Sequence, residues 1–199
     1  MRSFMQLLRR LRADNDGVAA VELALILPIA ITMLSGSFEL SNLLVADLKV
    51  TTAAETASDL IAQTQPPPGG STASFATTAA QIDDIVKAVQ EIIVPNSTGT
   101  LTTLKVAVVS IQNVAGHNTV IWHAERNGAT QLTLATAGVS TILTNTIPNT
   151  NDSVVIVATL YNYTSPLGLV LAKNWSLSQT SVNRPRYVQV VTCSAGTTC

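Results

Sequence analysis

The chain has 199 residues, 47% of them hydrophobic and only 12% charged, with a formal net charge of −1. That is about half the charge share of an ordinary soluble domain, and the thinly scattered basic residues exclude an electrostatic footprint for nucleic acid. The length suits one membrane segment and one domain, and the apolar excess sits near the N-terminus, which argues against several spans.

Residues 1–17 form a basic leader, with Arg2, Arg9, Arg10 and Arg12 against Asp14 and Asp16, ending on Gly17. The apolar run that follows is uncharged except for Glu22, and no residue from Leu23 to Phe38 is charged. As a helix, residues 18–38 cover about 31 Å, close to the hydrocarbon thickness of a bilayer. Four arginines precede this stretch and none follows nearby, so the N-terminus is expected to stay cytoplasmic and the bulk of the chain to be periplasmic. The apolar run is too long for a secretory signal peptide and ends without an A-x-A-like site. A carboxylate in such a helix costs about 2.5–3.5 kcal/mol near the bilayer centre and less near its edge, so Glu22 needs a reason to be there. Pro28 removes one backbone donor and leaves the carbonyl of Ala24 without its usual partner, which a membrane helix absorbs by a kink or local unwinding.

Arg9-Arg10-Leu11-Arg12, then Gly17-Val18-Ala19-Ala20-Val21-Glu22-Leu23 and Leu25-Ile26-Leu27-Pro28, resembles the TadE-like family, the pseudopilins or minor pilins of bacterial tight-adherence (Tad/Flp) pili. The family often has an aromatic after the glutamate, where this chain has Leu23. The resemblance implies that a prepilin peptidase cuts between Gly17 and Val18, leaving Glu22 as the fifth residue of the mature chain. It implies that Glu22 serves assembly, that the partners are the peptidase, other pilins and minor pilins, the inner-membrane assembly platform and membrane lipid, and that no nucleic acid and no cofactor is involved. The chain would be a single-pass inner-membrane protein that also enters or supports the pilus.

Beyond the membrane the helical pattern continues. Leu40, Leu43, Leu44 and Leu48, then Ala53, Ala54, Ala57, Leu60 and Ile61, trace one stripe, with Glu39, Asp47, Lys49, Glu55 and Asp59 on the other face. This predicts one helix over 18–63, half in lipid, like the spine of a pilin. Gln65-Pro66-Pro67-Pro68-Gly69-Gly70 ends it, and 64–74 reads as a linker. The domain over 75–199 begins with a second helix predicted over 75–94, whose stripe starts at Phe75 and which Pro95-Asn96 stops. Strands are predicted over 101–113, 119–124, 153–163, 174–183 and 187–192, with a turn at Gly116-His117-Asn118. The fold expected is α+β: a transmembrane helix entering a periplasmic pilin-like domain with a second helix and an antiparallel meander. Pro185 fits a strand end or edge, and Arg184 and Arg186 fit solvent.

Cys193 and Cys199 in an exported chain suggest a disulfide closing a tiny loop, with two free thiols or a metal pair as the alternatives. His117 and His123 have no carboxylate cluster beside them in the sequence, and Asp83 and Asp84 are adjacent on a helix and so diverge. No G-x-S-x-G, P-loop or C-x-x-C occurs. The chain therefore reads as a structural assembly protein, not an enzyme, with no metal site. The alternative is a signal-anchored periplasmic binding domain that never enters a filament.

Overall fold

The computed structural model describes residues 16–66, 70, 74–95, 104–136, 139–141, 149–171 and 173–199. The leader through Asn15, most of the Pro/Gly linker (67–69 and 71–73) and the first three residues of the strand expected over 101–113 lie outside the described residues. Among the described residues the elements in order are α1 (Asp16–Ala62), β1 (Ser74–Thr77), α2 (Ala79–Ile93), β2 (Leu104–Val114), β3 (His117–Arg126), β4 (Ser153–Thr164), β5 (Asn174–Asn183) and β6 (Val190–Cys193). The architecture is α+β: a long apolar N-terminal helix, a second helix and an antiparallel four-stranded sheet.

The chain divides into two compact units. One holds α1 up to Asn42 together with the segment Ser165–Lys173 between β4 and β5; the other holds Leu43–Thr164 and Asn174–Cys199.

In the larger unit the sheet order is β3-β2-β4-β5. It is two hairpins joined by β2 against β4, and not the simple meander expected from chain order, in which β3 would neighbour β4. The composition explains the choice. β2 and β4 are the two most continuously apolar strands, and the centre of the sheet is where both faces are covered. One face of this pair presents Val106, Val108, Val155 and Val157 to a core shared with Val50, Ala53, Ala57 and Ile61 of α1 and Ile82, Val86 and Val89 of α2. The opposite face presents Val109, Ile111, Val154 and Ile156, covered by Leu132 and Val139.

The stripe on α1 is narrower than the sequence pattern suggests. Val50, Ala53, Ala54, Ala57 and Ile61 are buried, whereas Leu40, Leu44, Leu48 and Leu60 are exposed. Small alanines let the helix backbone approach its neighbours closely, so the core selects the alanine face and leaves the larger leucines outside.

α2 begins at Ala79, four residues later than expected. Phe75 lies in β1 instead, because Thr78 is the N-cap. Its hydroxyl accepts the Gln81 N–H at 3.2 Å, and the Gln81 side chain accepts the Thr78 N–H at 2.8 Å, a reciprocal capping box. β1 pairs in parallel with β6 as a separate two-stranded sheet, so β6 does not extend the antiparallel sheet. The two sheets are stitched at one carbonyl: Ser110 Oγ and Trp122 Nε1 both donate to Val191 O, at 2.9 and 2.8 Å.

The β2–β3 turn falls on Ala115 and Gly116, one residue earlier than expected. Both have positive φ, the geometry that matches the twist of a two-residue hairpin, and Asn113 Oδ1 accepts the Gly116 N–H at 2.9 Å.

Candidate processing and assembly site

The first turn of α1 carries the residues that the sequence singles out. Gly17 is helical, and a Cβ built on it would meet nothing within 4 Å. The glycine is therefore not demanded by packing among the described residues. In a helix it is the weakest ordinary former after proline, by about 1 kcal/mol against alanine, which weakens the first turn of α1. Val18 is exposed, and Glu22 lies one turn further along the same face, also exposed. Among the described residues Glu22 makes no hydrogen bond or ion pair.

From Val18 to Phe38 the helix presents its large apolar side chains outward: Val21, Leu25, Ile29, Met33 and Leu34 are all exposed. This is one helix long and apolar enough to cross a membrane, consistent with anchoring. Three polar side chains of α1 bond back to its own backbone. Thr32 Oγ1 donates to Pro28 O at 2.7 Å, Ser37 Oγ to Met33 O at 2.9 Å, and Asn42 Nδ2 to Phe38 O at 2.9 Å. Such bonds leave few donors unsatisfied where water is absent. Pro28 sits within the helix without ending it.

One residue at the far end of this stretch escapes the sequence reading. Glu39, expected on a solvated face, is completely buried. Its Oε1 accepts the N–H of Leu169 at 2.7 Å, and Oε2 accepts those of Leu171 at 2.7 Å and Val170 at 3.3 Å. Three successive N–H groups converge on one carboxylate, the arrangement of an anion-binding nest. The only signal in the sequence is that a charged residue follows sixteen uncharged ones, which reads equally well as a membrane exit.

The other candidates resolve into structural roles. Asp83 pairs with Arg126 at 2.5 Å and Asp84 with Lys87 at 3.4 Å, so the adjacent aspartates diverge. His123 Nδ1 lies 2.9 Å from Glu125, a carboxylate partner that the sequence reading did not assign. Arg184 and Arg186 are more than half exposed, yet each meets an aspartate, Asp152 and Asp59 respectively. Cys193 and Cys199 are joined as a disulfide with their Cα atoms 5.8 Å apart. Among the described residues no group of three or more His, Cys, Asp or Glu could hold a metal ion.

Residues 17–59 match the family model of the TadE-like proteins. The match opens on Gly17 and takes in Glu22, Pro28 and Glu39. It implies a role in Tad pilus biogenesis and partners within the Tad pilus machinery; the family is generally non-enzymatic. No curated protein and no solved structure matches the chain.

Proposed function

We propose that this chain is a TadE-like minor pilin or pseudopilin that a prepilin peptidase cleaves between Gly17 and Val18, and that then primes, caps or regulates assembly of a Tad/Flp-type (type IVc) adhesion pilus. The observation that carries the reading is the spacing at the start of α1. A glycine in an easily unwound turn is followed, five residues on, by an exposed glutamate in an otherwise apolar helix.

Each residue then has a task. Gly17 offers the peptidase a substrate without a side chain. Hydrolysis of the Gly17–Val18 bond leaves the Val18 nitrogen as a charged α-amine. Glu22 pairs with the Val18 amine of a neighbouring subunit when helices bundle, which relieves the cost of a lone carboxylate in low dielectric. The basic leader keeps Gly17 at the cytoplasmic face, and the domain beyond α1 lies in the periplasm. That domain is large for a major Flp-type pilin, which favours a role beside the main subunit.

The deciding experiment is the N-terminal residue of the protein recovered from membranes of cells with the full pilus system. A mature chain starting at Val18 is expected. A start at Met1 or Arg2 would refute the processing and favour a signal-anchored periplasmic binding domain.

A further inference from the structure

Hairpin loops are normally polar and rich in turn residues. The segment joining β4 to β5 is not: it runs Ser165-Pro166-Leu167-Gly168-Leu169-Val170-Leu171 before Lys173. Leu169 is 73% exposed, and Leu167 and Val170 are each 46% exposed. Nothing in the fold of its own unit uses these side chains fully.

The segment is nonetheless held firmly. The Ser165 N–H donates to Lys173 O at 2.7 Å and closes its base. Glu39 takes the three N–H groups of Leu169, Val170 and Leu171. Val170 packs against Gly36 so closely that a Cβ there would lie 3.3 Å from Val170 Cγ1. Gly36 and Glu39 bracket Phe38, where the apolar stretch of α1 ends. The attachment therefore fixes an exposed apolar cluster at one height on the helix, the C-terminal end of the membrane-competent segment.

We propose that Ser165–Leu171, with Lys173, forms a second membrane-contacting element, an apolar wedge seated at the acyl–headgroup boundary of the leaflet where the span ends; this rests on the reading of α1 as a membrane anchor. Two observations favour lipid as the occupant. A loop in water can leave its N–H groups to the solvent, whereas one in the bilayer edge must satisfy them within the protein. The three N–H groups carried by the most apolar residues of the segment are the ones that Glu39 satisfies. Lys173, exposed at the end of the segment, also supplies a cation where phosphate headgroups lie. A single helix leaves an attached domain free to tilt; a wedge beside it gives a second point of contact.

The test uses the full chain in vesicles of phosphatidylethanolamine and phosphatidylglycerol, with lipids brominated at shallow or deep acyl positions. A polarity-sensitive fluorophore is attached at Leu169→Cys or, separately, at Leu34→Cys, with the Cys193–Cys199 disulfide left oxidised. The Leu169 probe is expected to be quenched by shallow bromines more than by deep ones, and the Leu34 probe, one turn inside the span, by both. Glu39→Gln, which replaces one acceptor oxygen by a donor, should move the Leu169 probe into water, read as loss of bromine quenching and gain of iodide quenching, while the Leu34 probe is unchanged. A Leu169 probe blind to bromine while the Leu34 probe is quenched would overturn the wedge and leave the anchor standing. If that probe were also shielded from iodide, a protein neighbour would occupy the site, which equally overturns the lipid assignment. Unchanged Leu169 quenching in Glu39→Gln would overturn the holding role of Glu39. Loss of quenching at Leu34 would remove the anchor itself, and the wedge with it.

Discussion

Glu39 and Leu169 stand 130 residues apart in the chain, and Oε1 of the first accepts the backbone N–H of the second at 2.7 Å. With the bonds to Val170 and Leu171, this contact converts a hairpin loop into a fixed attachment on α1. Glu39→Ala removes both acceptor oxygens, and with them all three hydrogen bonds, at once. Amide hydrogen exchange at 169–171 should then accelerate markedly, while the amides of β2 and β4 keep their protection. Equal acceleration in the sheet would mean that Glu39 supports the whole fold and not the loop alone.

Gly17→Ala separates folding from processing. The added methyl meets nothing within 4 Å, and alanine favours the helix by about 1 kcal/mol. The protein should therefore accumulate normally in membranes while its leader is retained or removed far more slowly. Immunoblots resolving precursor from mature chain in peptidase-positive cells give the answer; wild-type processing would show that neither the missing side chain nor the weak first turn matters.

Glu22→Ala should leave insertion unharmed or slightly improved, because a costly charge has gone from the apolar segment. Some cleavage should persist, since Gly17 remains. Surface filaments should be lost at normal membrane levels of the protein, because the Val18 amine of a neighbour has no carboxylate to meet. Filament counts by electron microscopy in a deletion strain complemented with the variant decide it, and normal piliation would eliminate the pairing role.

The Cys193–Cys199 bond closes a small ring, for which chain entropy supports a contribution of about 2 kcal/mol. Protein recovered from cells without reductant should resist thiol labelling at both positions, and the double change to serine should lower unfolding stability by about that amount. Labelling of both cysteines would rule out the bond in the cell.

Ser110 and Trp122 share one acceptor, Val191 O, and are expected to be coupled. Ser110→Ala should cost about 0.5–1.5 kcal/mol. Trp122→Phe should cost more, since ring volume is lost from a fully buried site as well. The double variant strips Val191 O of both side-chain donors, so it should depart from the sum of the singles by about 0.5–3 kcal/mol. Denaturant titrations of the detergent-solubilised chain complete the cycle; strict additivity would mean that the two donors are independent.

Features set by local chemistry are legible in the residues alone. The uncharged run from Leu23 to Phe38 reads as a long apolar helix and the valine-rich stretches around Val108 and Ile156 read as strands, and those elements form. The resemblance at Gly17 and Glu22 was legible for the same reason, since it lies within one short segment. Features that depend on distant partners arise only from long-range packing. Strand order followed from which strands could be covered on both faces, so β4 joined β2 across the intervening hairpin. The packed face of α1 followed from how closely its neighbours approach, which favoured Ala53 and Ala57 over Leu48 and Leu60. The burial of Glu39 depended on three N–H groups from beyond residue 165, because a carboxylate leaves water only where donors replace it. No periodicity around Glu39 encodes those donors; they exist only once the chain has folded back on α1.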